Sequence, residues 1–170
     1  MESQSPNLKV RNEAIDLRRF EVAHPQPFVC DLAIDGSDLG ETIEHVRNTE
    51  YVRWLDRAAE LHADSLGYTR QQMLADGVMW FVARTEIDYL GEVWNNDKLV
   101  IATWVRDMQR VKSWREYVVI RPADDTVVCR AATLWVFMDL ARRRPRRIPG
   151  EMARRFSPLH QQKVEQQCTS

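Results

Sequence analysis

The chain has 170 residues, 44% hydrophobic and 29% charged, with a formal net charge of −1. That length suits one domain that buries a core without metal or disulfide help, and the composition excludes a disordered chain. The near-zero charge excludes a global field drawing the protein to nucleic acid or membrane, although Arg142, Arg143, Arg144, Arg146 and Arg147 form one dense basic run.

Residues 1–27 have no sustained period and end in AHPQP. Pro25 and Pro27 force an extended backbone and disfavour helix just before them. The stretch reads as an N-terminal arm with a helical turn near residues 11–19. It carries no apolar signal core. Cys30, Cys129 and Cys168 are scattered and lack metal-type spacing, which fits a reducing compartment. No apolar run approaches the ~18 residues of a membrane helix. The expected location is the cytoplasm, with no membrane partner.

FVCDLAID (28–35) alternates, with Phe28, Cys30, Leu32 and Ile34 on one side, which predicts a half-buried strand. GSDLG (36–40) is turn chemistry. In NTEYVRWLDRAAELHADSLG, Tyr51, Trp54, Leu55, Ala58, Leu61, His62 and Leu66 fall at helical spacing. Asn48 is expected to cap this helix and Gly67 to follow its end. The span predicts a helix roughly 27 Å long with a broad apolar stripe, hence deeply buried. YTRQQMLADG (68–77) reads as a short second helix or a turn.

Four strands follow: VMWFVARTEIDYL (78–90), DKLVIATWVRDMQ (97–109), KSWREYVVIR (112–121) and TVVCRAATLWVFMDL (126–140). Their short links predict an antiparallel meander, because parallel strands need long crossovers. Beyond Leu140 the pattern predicts a loop, a short helix from about 149 to 155 and a polar, frayed tail over 157–170. Long strands with one apolar face must cover something, and the 48–66 helix has the surface for it. The expected class is α+β.

This outline resembles the hotdog fold, a curved antiparallel sheet wrapped around one long central helix. HVRNTEYVRWLDRAAE (45–60) is similar to the HVNN-x-x-Y-x-x-W-x-E segment of hotdog acyl-CoA and acyl-carrier-protein thioesterases. TEIDYLGEVWNNDKLVIATWV (85–105) resembles their central strand pair, and TLWVFMDLARRRPRRIP (133–149) their closing strand and its exit. The resemblance covers residues 28–156 as one thioesterase-like domain between the arm and the tail. It implies acyl-CoA or acyl-carrier-protein hydrolysis without a cofactor, coenzyme A being part of the substrate. It also implies a catalytic carboxylate shortly before the helix. Counts from Tyr51 and from His45 both land on Glu41. Here Glu41 replaces the usual Asp, Arg47 the first Asn of HVNN, and Ile43 a polar residue.

Glu41 would deprotonate water or attack the thioester itself. The unpaired N–H groups at the helix start, at the positive end of its dipole, would hold the oxyanion. Glu41 also reads as an acidic residue favourably placed near a helix N-terminus, Asn48 as a plain cap, and His45 as structural or as the group orienting Glu41. Glu44 is a fallback carboxylate. Tyr51, Trp54 and Leu55 read as core, with Tyr51 and Trp54 the candidate wall of an acyl pocket. His62 reads as a satisfied core histidine, and the dispersed histidines suggest no metal site. The Arg run suits the phosphates of coenzyme A or a solvated loop; without interleaved aromatics it does not suit nucleic acid. Exposed sheet edges need covering, and the resemblance implies a homodimer or a dimer of dimers. The rivals to an acyl-CoA thioesterase are a hotdog dimer that binds acyl-CoA without hydrolysing it and a hotdog hydratase or dehydratase.

Overall fold

A computed structural model describes residues 6–160. The elements in chain order are β1 (Leu8–Val10), a 3-10 turn (Arg18–Phe20), β2 (Phe28–Ala33), a second 3-10 turn (Gly36–Asp38) and α1 (Asn48–Ser65). Then come α2 (Arg70–Ala75), β3 (Val78–Tyr89), β4 (Lys98–Met108), β5 (Lys112–Arg121), β6 (Thr126–Asp139), β7 (Arg144–Pro145) and α3 (Gly150–Arg155). The α+β order matches the expectation. Cys168, and the expected tail beyond His160, lie outside the described residues.

Three local readings change. The expected helical turn near 11–19 is the 3-10 turn at Arg18–Phe20, and the arm also carries β1, which pairs antiparallel with β2 (Leu8↔Leu32, Val10↔Cys30). Helix α1 starts at Asn48 itself, so Asn48 stands in its first turn rather than outside it. The strand order is β1-β2-β4-β5-β6-β3, with β7 paired to β6, so the four long strands are not a simple meander. β3 lies beside β6, not β4. The link Leu90–Asp97 is too long for a tight hairpin, and its amides and carbonyls bond elsewhere: Leu90 and Gly91 donate to the Val128 carbonyl, and the Val93 carbonyl accepts from Val46.

The chain divides into two compact units. One holds residues up to Leu61 with Ile87–Thr103 and Tyr117–Arg130; the other holds His62–Glu86, Trp104–Glu116 and the chain from Ala131. In the first, α1 buries Tyr51, Trp54, Leu55 and Ala58. Cys30 and Leu32 share one fully buried face of β2. The register Cys30↔Ile101 and Leu32↔Leu99 puts Ile101 and Leu99 on that face, and Val100 and Ala102 on the other. Yet Leu99–Thr103 and Tyr117–Ile120 are buried without a break. An antiparallel sheet with one wet face would alternate; here both faces are covered.

The arm covers the second face. Leu17, Phe20 and His24 are buried. Arg130, on the same side of β6 as buried Val128, donates to the Phe20 carbonyl at 2.9 Å and to Glu21 at 3.1 Å. Arg19 pairs with Asp125 at 2.6 Å, and Arg11 with Asp31. Solvent screens these ion pairs, so the burial of Leu17 and Phe20 is the larger contribution. Phe20→Ala is therefore expected to destabilise the protein by about 3 kcal/mol, read as a lower urea midpoint. An unchanged midpoint would show that the arm contributes nothing.

In the second unit a core forms from Ala63 of α1, Met73 of α2, Val78, Val105, Phe137 and Ile148, with Met152 and Phe156. Gly67, at φ +84°, ends α1 in the left-handed region while Tyr68 donates to the Ala63 carbonyl at 2.9 Å. Thr69 Oγ1 caps α2 by accepting from the Gln72 amide at 3.1 Å. His62 fits the expectation of a satisfied histidine: Arg115 donates to its Nδ1 at 3.0 Å.

Candidate active site

The polar start of α1 lies in the first unit, and a small hairpin leads into it. Leu39 bridges Val46, and the Gly40 amide donates to the His45 carbonyl at 3.0 Å. Glu41, Thr42, Ile43 and Glu44 form the exposed tip. The Glu41 side chain has no hydrogen bond or ion pair among the described residues. Glu41 thus follows Gly40, the residue opposite His45, at the hairpin tip a few residues before the first turn of α1.

The β3–β4 link holds the other flank. His45 bridges Trp94, and the Asn95 amide donates to the Glu44 carbonyl at 3.3 Å. The imidazole meets the Trp94 indole edge to face, with centroids 5.4 Å apart. Trp94 is itself fixed, since its amide donates to Asp97 Oδ2 at 3.0 Å. Arg121 holds that carboxylate at 3.1 Å and the Glu92 carbonyl at 2.8 Å. The sequence did not single out Trp94, and a lone aromatic in a polar link carries little signal.

At the helix start the residues divide into exposed and buried sets. Asn48 and Thr49 are exposed, and their amides open the helix, where no intrahelical carbonyl precedes them. Glu50 is buried and bonded by Arg47 at 2.9 Å and by Arg53. It sits favourably at the positive end of the dipole. Arg47, the residue in place of the family's first Asn, also donates to the Ser37 carbonyl at 2.7 Å, so it ties the preceding turn to the helix.

Asp38 is a second buried carboxylate, 5% exposed. Its Oδ2 accepts from the Asp35 amide at 3.0 Å and its Oδ1 from the Trp54 indole at 3.4 Å. Burial raises its pKa, and the bonds from Asp35 and Trp54 pull it partly back. The spacing Asp35-x-x-Asp38 is a capping box, a signal present in the sequence and read there only as a turn.

Tyr51 and Trp54 are fully buried, with rings 4.7 Å apart, and Tyr51 meets the half-exposed Tyr89 edge-on at 5.0 Å. Burial raises the Tyr51 hydroxyl above its ordinary range. Cys30 and Cys129 are buried thiols pushed up to about 12, so they stay protonated and do not serve as nucleophiles. Among the described residues no group of three or more His, Cys, Asp or Glu is placed to hold a metal ion, and no helix is long and apolar enough to cross a membrane.

The Arg run belongs to the other unit. Arg142, Arg143, Arg144, Arg146 and Arg147 are all exposed. β7 pairs Arg144 with Asp139 and Pro145 with Met138, so the run folds back on the end of β6. The Arg142 amide donates to Asp139 at 2.9 Å. A concave region of about 680 Å³ is lined by Asp139, Ala141, Arg142, Arg144, Pro145 and Arg146.

The chain belongs to the thioesterase-like superfamily, whose sequence model matches residues 30–156. A chloroplastic oleoyl-acyl carrier protein thioesterase of Coriandrum sativum is 24% identical over 158 residues, covering 89% of this chain and 41% of the relative. The chain therefore spans about two-fifths of that relative's length. Among solved structures, a Staphylococcus aureus protein in complex with CoA is similar at a TM-score of 0.72 and 13% identity, over 76% of this chain and 81% of that one. A 1,4-dihydroxy-2-naphthoyl-CoA thioesterase from Synechocystis is similar at 0.67 and 16%, over 73% and 90%. The fold is the hotdog fold that the sequence resembled.

Proposed function

We propose that this chain hydrolyses the thioester of an acyl-CoA or acyl-carrier-protein substrate to the free acid and the thiol. Glu41 takes a proton from water as the water oxygen attacks the carbonyl carbon. The oxyanion accepts hydrogen bonds from the first amides of α1, at the positive end of the dipole; losing one such donor typically costs ~3 kcal/mol of transition-state stabilisation. The C–S bond then breaks and the thiolate takes up the proton. Direct attack by Glu41 through a mixed anhydride uses the same geometry. The observation that carries the reading is the hairpin Leu39–Val46, which ends at the exposed first turn of α1 with a carboxylate at its tip.

In this reading His45, held against Trp94, orients Glu41 or the substrate, Asn48 lies at the mouth, and Tyr51 and Trp54 back the acyl pocket. Two of the proteins named above are an oleoyl-acyl carrier protein thioesterase and a 1,4-dihydroxy-2-naphthoyl-CoA thioesterase, and the third is in complex with CoA, which supports the substrate class. The Arg run takes the phosphates of the carrier moiety, supported by five exposed arginines, three of which (Arg142, Arg144 and Arg146) line an open concavity. Reversing Arg142 and Arg144 to Glu is expected to raise KM for acyl-CoA about tenfold with kcat little changed; an unchanged KM would return the run to a solvated loop. A homodimer is part of the proposal. β3 ends the strand order and exposes Phe81, Val82 and Tyr89, and long apolar edge strands are normally paired. The scattered cysteines, with Cys30 and Cys129 free and buried, support a cytoplasmic setting.

The test is free-thiol release from short, long, branched and aromatic acyl-CoAs and from acyl-carrier protein. Turnover with any of them supports hydrolysis. Saturable acyl-CoA binding without release across the panel would replace it with the non-hydrolysing dimer.

A further inference from the structure

We propose that Asp38 is a positioning residue whose carboxylate fixes the base of the hairpin carrying Glu41. The inference deepens the hydrolase reading above and rests on it for its kinetic arm only. Glu41, three residues on, has no side-chain bond of its own among the described residues, so the hairpin base sets its direction.

Asp38 joins that base on two sides. Its carboxylate closes the 3-10 turn through the Asp35 amide and reaches the second turn of α1 through the Trp54 indole. Its carbonyl accepts from the Arg47 amide at 3.1 Å, one residue before α1 begins. Arg47 reinforces the closure through the Ser37 carbonyl. Residues 37 and 38 are thus bonded to residues 47 and 54, and only the hairpin lies between. A carboxylate brought out of water must find strong donors or be costly. Here the indole N–H is one of them, supplied by a side chain of α1 that is itself immobilised in the core. The result is a bonded mount under an exposed acidic tip, and misplacement of ~1 Å at a reacting group can cost ~100-fold in rate.

Two variants test these bonds. Asp38→Asn keeps only one acceptor oxygen, so either the Asp35 amide or the Trp54 indole is left facing an N–H₂. Trp54→Phe keeps an aromatic ring but deletes the indole donor together with the volume of the second ring. Counted per folded protein by circular dichroism, each is expected to lower kcat for thiol release at least tenfold; KM is expected to stay within twofold for Asp38→Asn, while Trp54→Phe, which also alters the acyl pocket wall, is read on kcat alone. Hydrogen exchange of the wild type and both variants is the second arm. Amides of residues 39–47 are expected to exchange at least tenfold faster in the variants, with those of Leu99–Thr103 unchanged. Unchanged exchange over 39–47 overturns the proposal, whether or not the protein releases thiol. Faster exchange with unchanged kcat also overturns it, because the mount would then not matter to the tip. A wild type that releases no thiol defeats the hydrolase reading instead and leaves the exchange arm to decide the mount.

Discussion

Glu41→Gln is expected to lower kcat for thiol release about 10³-fold while leaving the urea midpoint unchanged. The amide matches the carboxylate in size but takes no proton and makes no anhydride. Glu41 is exposed and has no side-chain partner among the described residues, so removing its charge leaves no donor unpaired. A large rate loss without a stability loss would thus identify a group acting on the substrate. Glu44→Gln, at the same exposed tip, is the comparison. If the two variants lose rate equally, the tip acts through its total charge; if only Glu44→Gln is impaired, the assignment moves there. Full activity in Glu41→Gln would end the assignment.

Trp54→Ala carries the largest expected loss of stability, about 4 kcal/mol. Trp54 is fully buried, packs its ring on Tyr51, and donates to Asp38. Truncation opens a cavity and leaves the Asp38 carboxyl short of a donor in a site that already penalises its charge. For a chain of this length such a loss lowers Tm by about 12 °C. Chemical denaturation should show a lower midpoint at constant slope. A shift below about 1 kcal/mol would mean that the surroundings collapse onto the space, the low end of what cavity formation costs.

Much of the candidate site was legible because short-range rules govern it. The 3.6-residue spacing of Tyr51, Trp54, Leu55 and Ala58 marks the helix and its buried side, and Gly67 marks its end. Glu41 follows from counting back from Tyr51 and His45, and the structure keeps it on a hairpin at the helix start. Asp38 was read as turn chemistry because a short Asx turn looks alike whether solvated or buried. Its role depends on Trp54, sixteen residues away, and no local pattern reports that pairing. Trp94 was missed for a similar reason, since its contact with His45 joins two separate loops.

The sheet shows the same division. LVIATWV and YVVI are unbroken apolar runs rather than alternating ones, and such runs are the signature of a strand covered on both sides. The expectation of one apolar face per strand is thus corrected: these runs fit strands covered on both sides. The arm supplies the second cover through Leu17, Phe20 and His24, too widely spaced in a Pro-bounded stretch to show a period.

By itself, then, the sequence determined the long elements and their approximate ends, because hydrophobic period and turn chemistry act within a few residues, and its resemblance to the family pointed to the acidic residue before the helix. The tertiary structure alone decided that β3 pairs with β6, that the arm lies on the sheet, and that Asp38 bonds Trp54. Those choices depend on burial shared between distant segments, whose free energy exists only once the segments have met.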